Sequence, residues 1–328
     1  MTVLIITHST DNDSIKRVCQ AIRSQGERVF RLDTDRFPTD IQLDVYYGEG
    51  TEQLTLISEQ EQLNLSDVSA VWYRRIAIGK TIPTTMDKQL WQASVEESRA
   101  TIQGLIASLN VFHLDPFPQI QRAKNKQLQL QTAQKLGLKT PRTLITNRPE
   151  AVRQFARECD GNIITKMLSS FAVYEEGKEK VVFTTPVAPE DLNHLEGLRY
   201  CPMTFQENIS KAVELRITIV GSQVFAAAIN SQKLNRARYD WRREGLSLID
   251  DWEAYSLPQA ISQKLLNLMN YLGLNYGAID LIVTPDGEYI FLEVNPVGEF
   301  FWLDLLPGLP ISQAIADILV QPLKFQRA

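Results

Sequence analysis

Ile279-Asp280-Leu281-Ile282-Val283-Thr284-Pro285-Asp286-Gly287-Glu288-Tyr289-Ile290-Phe291-Leu292-Glu293-Val294-Asn295-Pro296 decides how this chain is read. The apolar runs on either side of Thr-Pro-Asp-Gly spell a β-hairpin. A carboxylate inside a buried strand costs several kcal/mol unless it is paired or holds a cation. Asp280 and Glu293 therefore need a partner or a metal. Glu293 and Asn295 are two apart, so in a strand they project from one face. Asp280 joins them if the loop holds an even number of residues, Pro285 to Asp286 or Pro285 to Glu288; a three-residue loop with Gly287 as a bulge breaks that register. Two carboxylates and an amide oxygen, with room for phosphate oxygens, suit Mg²⁺. The plainer alternative is a strand-end acid paired with an arginine.

Working outward, the chain has 328 residues, more than one ordinary core, so two or three lobes are expected. Its 44% hydrophobic and 22% charged content is that of a globular protein. Met1-Thr2-Val3-Leu4-Ile5-Ile6-Thr7-His8 enters a strand without a basic leader, and no apolar run is long enough to span a bilayer. A cytoplasmic protein with no membrane partner is the expectation. Cys19, Cys159 and Cys201 are far apart and near no histidine, which excludes a disulfide framework or zinc signature. A net charge of −5 argues against a nucleic-acid partner. The densest basic stretch, Arg236-Ala237-Arg238-Tyr239-Asp240-Trp241-Arg242-Arg243, reads either as a solvated loop or as an anion site.

The opening is β-α-β: a strand at Val3 to Thr7, a helix from Asp13 to Gln25 ended by Gly26, and a strand at Glu27 to Leu32. Its first turn lacks the glycines of a dinucleotide fold, and no P-loop occurs. Strand-like alternation follows over 41–58, then a buried strand at Val68 to Arg75 and a helix from Asp87 to Leu109. Asp115-Pro116-Phe117-Pro118 breaks the chain and marks a lobe boundary. Beyond it come a helix from Arg122 to Leu136, strands at Arg142 to Thr146 and Ile163 to Met167, and a hairpin over Phe171 to Pro186 turning at Glu175 to Lys178. Strands at Leu215 to Val220 and Val224 to Asn230 and a helix at Pro258 to Leu272 complete the pattern. The fold class is α/β, divided as residues 1–115, 116–205 and 206–328.

Cations upstream of the acids would bring phosphate. Lys166 sits in the apolar run Ile163 to Leu168, where a buried ammonium needs an anion. Lys126 opens a helix after Asn125 and adds to its positive end; an exposed lysine is the alternative. Gln206-Glu207-Asn208 could be an interlobe hinge whose backbone reads a base edge. Glu214 and Arg216 share a strand face, one placed for ribose hydroxyls and the other for a phosphate. Asn230 could complete the metal site or touch the phosphates.

This ordered set, from Lys126 to Asn295, resembles the ATP-grasp carboxylate-amine ligases. The resemblance implies an N-terminal α/β pre-ATP-grasp lobe, a central lobe and a C-terminal lobe, with ATP and two Mg²⁺ held between the last two. It also implies that a substrate carboxylate becomes an acyl phosphate, which a nucleophile then captures. Ala70-Val71-Trp72-Tyr73-Arg74-Arg75, Phe112-His113-Leu114-Asp115-Pro116 and Asn295-Pro296-Val297-Gly298-Glu299-Phe300-Phe301-Trp302 look, more closely, like the microviridin (graspetide) macrocyclases. Those enzymes crosslink side chains of a ribosomal precursor peptide, and the wording here is closer to the ester-forming member. An amide-forming macrocyclase, or a ligase like glutathione synthase or the glutamate ligases, stands as the alternative.

The resemblance places Arg216, Lys166 and Arg74 in catalysis. It places Asp280, Glu293 and Asn295 on the metal, and Lys126, Lys166, Gln206, Glu207, Asn208, Glu214, Arg216 and Asn230 around ATP. For the core peptide the candidates are Trp72, Tyr73, Arg74 and Trp302, with core packing as the alternative for the aromatics. Glu190 and Asp191 would hold an arginine of the leader peptide, or else cap a helix. The resemblance further implies a homodimer. The chain departs from the superfamily at Met167-Leu168-Ser169-Ser170-Phe171-Ala172, where a glycine-rich phosphate flap is usual, and at Ala228, where an arginine is common.

Overall fold

The computed structural model of the chain describes residues 1–59, 61–168, 184–231 and 250–325, and the backbone at 172–175 and 178–181. Ser169 to Phe171, the turn at Glu176-Gly177 and the Arg236 to Arg243 cluster lie outside these residues.

Strand β1 (Thr2–Thr7) is buried along its whole length, as a central parallel strand should be. Helix α1 (Asp13–Ser24) is capped by the Asn12 side chain, which accepts from Ser14 N, and β2 (Arg28–Asp33) returns beside β1. Strands β3 (Gln42–Gly48), β4 (Thr51–Ile57) and β5 (Gln62–Asn64) form a separate antiparallel sheet. Then β6 (Val68–Tyr73), helix α2 (Lys88–Ser108) and β7 (Phe112–Leu114) complete a parallel sheet in the order β2-β1-β6-β7.

The helix expected from Arg122 to Leu136 is two helices, α3 (Phe117–Ala123) and α4 (Lys126–Lys135). The break has a local cause: the Asn125 side chain accepts from Leu128 N and so starts a new helix. The middle of the chain holds β8 (Thr143–Thr146), α5 (Pro149–Glu158), β9 (Ile163–Lys166), the hairpin β10 (Ala172–Glu175) and β11 (Lys178–Val181), β12 (Thr185–Pro186) and β13 (Met203–Glu207). Its sheet runs β12-β9-β13-β8, with every neighbouring pair antiparallel.

The last part contains β14 (Val213–Val220), β15 (Gln223–Ile229), β16 (Glu253–Ala254), α6 (Gln259–Leu272), β17 (Tyr276–Val283), β18 (Tyr289–Asn295), α7 (Phe301–Leu305), α8 (Ile311–Val320) and α9 (Pro322–Phe325). The five strands order as β16-β15-β14-β17-β18. No helix among the described residues is long and apolar enough to cross a membrane.

Burial divides the molecule unevenly. One core cluster joins Leu4, Ile6 and Phe30 of the first part to Leu215, Ile217, Phe291 and Val294 of the last, and takes in Ile120 of α3 and Ala133 of α4. A second joins Ile15, Val18 and Trp72 to Tyr276, Phe300 and Ile315. Each fully buried aliphatic or aromatic side chain in them contributes about 1.5–3 kcal/mol. The middle part has its own smaller cluster: Val152, Phe155, Ala156, Cys159, Ile163, Leu195, Leu198 and Phe205. Helices α3 and α4, which the sequence assigned to the central lobe, thus pack with the large body. Asp115 reinforces that body, because its buried carboxylate accepts from Asn275 N (2.8 Å) and Tyr276 N (2.9 Å) at the start of β17.

Candidate functional site

In the quoted hairpin, β17 is buried everywhere except at Asp280, so that carboxylate is the single polar interruption of an apolar strand. The loop is not even. Gly287, at φ +81°, donates to Thr284 O (2.9 Å) and Thr284 N donates to Glu288 O (2.9 Å), which leaves three residues between a paired Thr284 and Glu288. That register pairs Val283 with Tyr289 and Leu281 with Phe291, and would turn Glu293 away from Asp280. A bulge at Leu292 corrects it: Asp280 lies opposite Glu293, Ile279 opposite Val294 and Ala278 opposite Asn295. The three ligand candidates share a face because of two irregularities that cancel, not because of an even loop.

Arg216 extends this row, being directly opposite Asp280 on β14. Its Nη1 donates to Asp280 Oδ1 (2.8 Å) and Oδ2 (3.0 Å), and its Nη2 to Glu299 O (2.9 Å). At the other end Lys126 Nζ lies 2.9 Å from Glu293 Oε2 and 3.2 Å from Asn295 Oδ1. Asn295 Nδ2 donates to Glu293 Oε1 (3.0 Å) and Asp280 Oδ2 (3.4 Å). Burial works to raise the Glu293 carboxyl, but the Lys126 and Lys166 charges outweigh it and hold the group well below the ordinary carboxylate range. Lys166 ends β9, so the central sheet contributes its charge to a row built on the C-terminal sheet. Burial likewise pushes Glu214 up, against the opposing charge of Lys211 at 2.6 Å.

Among the described residues no group of three or more His, Cys, Asp or Glu side chains forms a self-sufficient metal cage. Two carboxylates and an amide on one face, each about a quarter exposed or less for the acids, fit an ion that shares its shell with phosphate. In the structure Asp280 is paired with Arg216, as the plainer sequence reading described, and Glu293 with Lys126.

Residues that the sequence did not single out fix this row. The Gln129 amide, fully buried on α4, accepts from Val294 N (3.0 Å) and donates to Val294 O (2.8 Å), clamping the backbone between Glu293 and Asn295. Gly298 brings the following loop over the site; a Cβ there would collide with Ala278 and come within 3.1 Å of Arg216 Nη2. A buried glutamine in a helix that otherwise reads as polar carries no sequence signal.

The other candidates are placed as follows. Gln206 is buried and donates to Thr143 Oγ1 (2.9 Å). Glu207 grips Arg142 through two contacts of 3.0 and 3.1 Å, and Asn208 donates to Asn162 Oδ1 (2.9 Å). Asn230 is exposed just past β15. Trp72 and Trp302 are core residues that stack on cations: Arg74 lies 5.4 Å above the first and Arg216 5.7 Å from the second. Tyr73 packs edge-on against Phe117, with centroids 5.2 Å apart. Arg74 is 1% exposed and bound to Glu299 (3.0 Å) and to Val297 O and Gly298 O. None of these four presents a free surface to a peptide. Glu190 and Asp191 are exposed, and Asp191 Oδ2 accepts from Ala188 N (2.8 Å) at a short 3₁₀ turn. Asp191 also borders a cavity of about 280 Å³ lined by Thr165, Val187, His194, Leu198 and Phe205.

Residues 2–121 match the MvdD pre-ATP grasp domain family. Macrocyclase MdnC of Microcystis aeruginosa MRC, whose crystal structure holds the precursor peptide MdnA, is 55% identical over 98% of this chain and 99% of that one, with a TM-score of 0.89. The chain belongs to the microviridin-type ATP-grasp macrocyclases. A second similar structure is a RiPP-associated ATP-grasp ligase of Chryseobacterium gregarium in complex with ADP, a leader and a core peptide. It is 41% identical, covers 98% of this chain and 97% of its own, and has a TM-score of 0.94. Among curated proteins, a probable alpha-L-glutamate ligase of Vibrio parahaemolyticus is 24% identical over 61% of the chain, which spans 64% of that relative's length. The macrocyclase family brings with it an ATP-grasp ligase fold and an ADP-forming ligase activity.

Proposed function

We propose that the chain closes rings in a ribosomally made precursor peptide by joining Asp or Glu side-chain carboxylates to Thr or Ser hydroxyls, at the expense of ATP and under control of the leader. The observation that carries this reading is the row Arg216, Asp280, Glu293, Asn295, with Lys126 and Lys166 beside it, in a chain 55% identical to a macrocyclase bound with its precursor. The Asp280, Glu293 and Asn295 side chains would hold Mg²⁺, which supplies positive charge against phosphate oxygens. A carboxylate oxygen of the peptide attacks the γ-phosphorus, ADP leaves, and an acyl phosphate forms. Arg216 and Lys166 offset the negative charge that grows during that transfer. The hydroxyl oxygen then attacks the acyl carbon, its proton passes to solvent, and phosphate leaves with the oxygen it gained. Gln206, Glu207 and Asn208 would lie beside the base; their side chains bind Thr143, Arg142 and Asn162, and the N–H groups of Glu207 and Asn208 donate to Arg142 O and Asn162 O. Asp191, which borders the 280 Å³ cavity, and its neighbour Glu190 are where an arginine of the leader would dock, with an apolar residue of the leader in the cavity.

Intact mass of precursor peptide incubated with the protein, ATP and Mg²⁺ tests the reading: each ring lowers the mass by one water. The glutamate-ligase likeness favours a second reading, addition of an amino acid, under which the mass rises. Rings that form on Lys instead of Thr or Ser would show the amide-forming alternative.

A further inference from the structure

Two adjacent arginines leave the C-terminal end of β6, the end of a parallel sheet where ligands are generally bound. Arg74 is committed: its guanidinium is buried and bound to the Glu299 carboxylate and to two main-chain oxygens. Arg75 is different, with a side chain 42% exposed and an ion pair to the same Glu299. Glu299 is itself fixed, since Asn12 and Arg74 both donate to its Oε2. Its main-chain oxygen accepts from Arg216, whose other nitrogen holds Asp280. A group bound at Arg75 therefore sits one residue away from the phosphate-activating row.

We infer that Arg75, braced by Glu299, is a binding site for a side-chain carboxylate of the peptide. The inference rests on the proposed function. A guanidinium is a planar fork of five donors, and one carboxylate neighbour leaves donors for a second. Glu299 and Asp11 offset the charge of Arg74 and Arg75, which leaves the position better matched to a singly charged carboxylate than to a doubly charged phosphate. The site thus separates the acid of the peptide from the phosphate that Arg216 and Lys166 receive. Sequence alone assigned this task to Arg74, and the structure moves it one residue along, to the arginine that solvent can reach.

The test uses leader-free MdnA core peptide, and the same peptide with every Asp and Glu changed to Asn and Gln, against wild-type protein, Arg75→Ala and Arg75→Lys. Affinities are measured with ADP present, and KM for ATP and for full MdnA is measured alongside. Arg75→Ala should weaken the acidic peptide roughly ten-fold or more, the scale of a lost charged hydrogen bond. It should leave the amidated peptide and KM for ATP unchanged, and Arg75→Lys should recover part of the loss. Equal losses for both peptides, no preference of the wild type for the acidic one, or a raised KM for ATP with unchanged peptide affinity would each overturn the inference. Wild-type protein that closes rings while Arg75→Ala is indifferent sinks this site alone; wild-type protein that closes none sinks the proposed function as well.

Discussion

The C-terminal sheet and the central sheet both send charge to the site, but they are anchored differently. Strands β14, β17 and β18 share two hydrophobic clusters with the N-terminal α/β part, and Asp115, Gln129 and Arg74 tie them down further by buried hydrogen bonds. The central sheet, which carries Lys166, rests on an eight-residue cluster of its own and joins the body near Lys139 to Arg142 and near Asn208 to Ala212. One wall of the site is thus tied into the two large clusters, while the other rests on a small cluster of its own. Such an asymmetry suits a ligase that closes over its substrates.

Breaking the fixed wall should have the largest effect. Asp280→Asn or Glu293→Gln should cut ADP release by a factor of about 100 or more, the scale of losing an electrostatic group at a phosphoryl transfer site. Circular dichroism should show the fold retained. Phe155→Ala, in the small cluster, should cost about 3–5 kcal/mol locally. Hydrogen exchange should rise across residues 143–207 and stay unchanged in β14 to β18; a rise throughout would mean that the two parts form one cooperative unit. Gln129→Ala strips Val294 N of its partner and leaves Val294 O with Lys126 Nζ at 3.4 Å, and should destabilise the body by about 2–3 kcal/mol. It should also raise the Mg²⁺ concentration needed for activity, because Glu293 and Asn295 flank the loosened residue.

The smallest effect concerns pH. Asp35 is buried, which works to raise its carboxyl, but the Ser9 hydroxyl (2.6 Å) and N–H (2.7 Å) prevail and lower it. A lowered native value means that the stabilisation is complete above the ordinary carboxylate range and is lost as pH falls through the native value. In unfolding followed against pH, Ser9→Ala should therefore lose about 1 kcal/mol near neutrality, the difference from wild type disappearing as pH falls through the native value, with activity unchanged.

How much of this could be read in advance follows from the range of each signal. Strand alternation put Glu293 and Asn295 on one face, and the i, i+2 spacing of Glu214 and Arg216 did the same for β14. Asp280 was harder, since its face depends on a bulge at Leu292 that no residue type announces. The loop rule chosen for it was wrong although its conclusion stands. Gln129 was invisible because its partner is 165 residues away. Trp72 and Trp302 stand in stretches that resemble the macrocyclases, yet here they support Arg74 and Arg216 from below. Motif membership marked the neighbourhood; only packing showed which side chains face outward.

The most direct test follows oxygen. Precursor peptide carrying heavy oxygen in its Asp and Glu carboxylates should transfer one labelled atom to inorganic phosphate for every ring closed, and Asp280→Asn should abolish ring and label transfer together. Rings that form while all the label stays in the peptide or appears in water would contradict activation of the carboxylate by phosphate at this row.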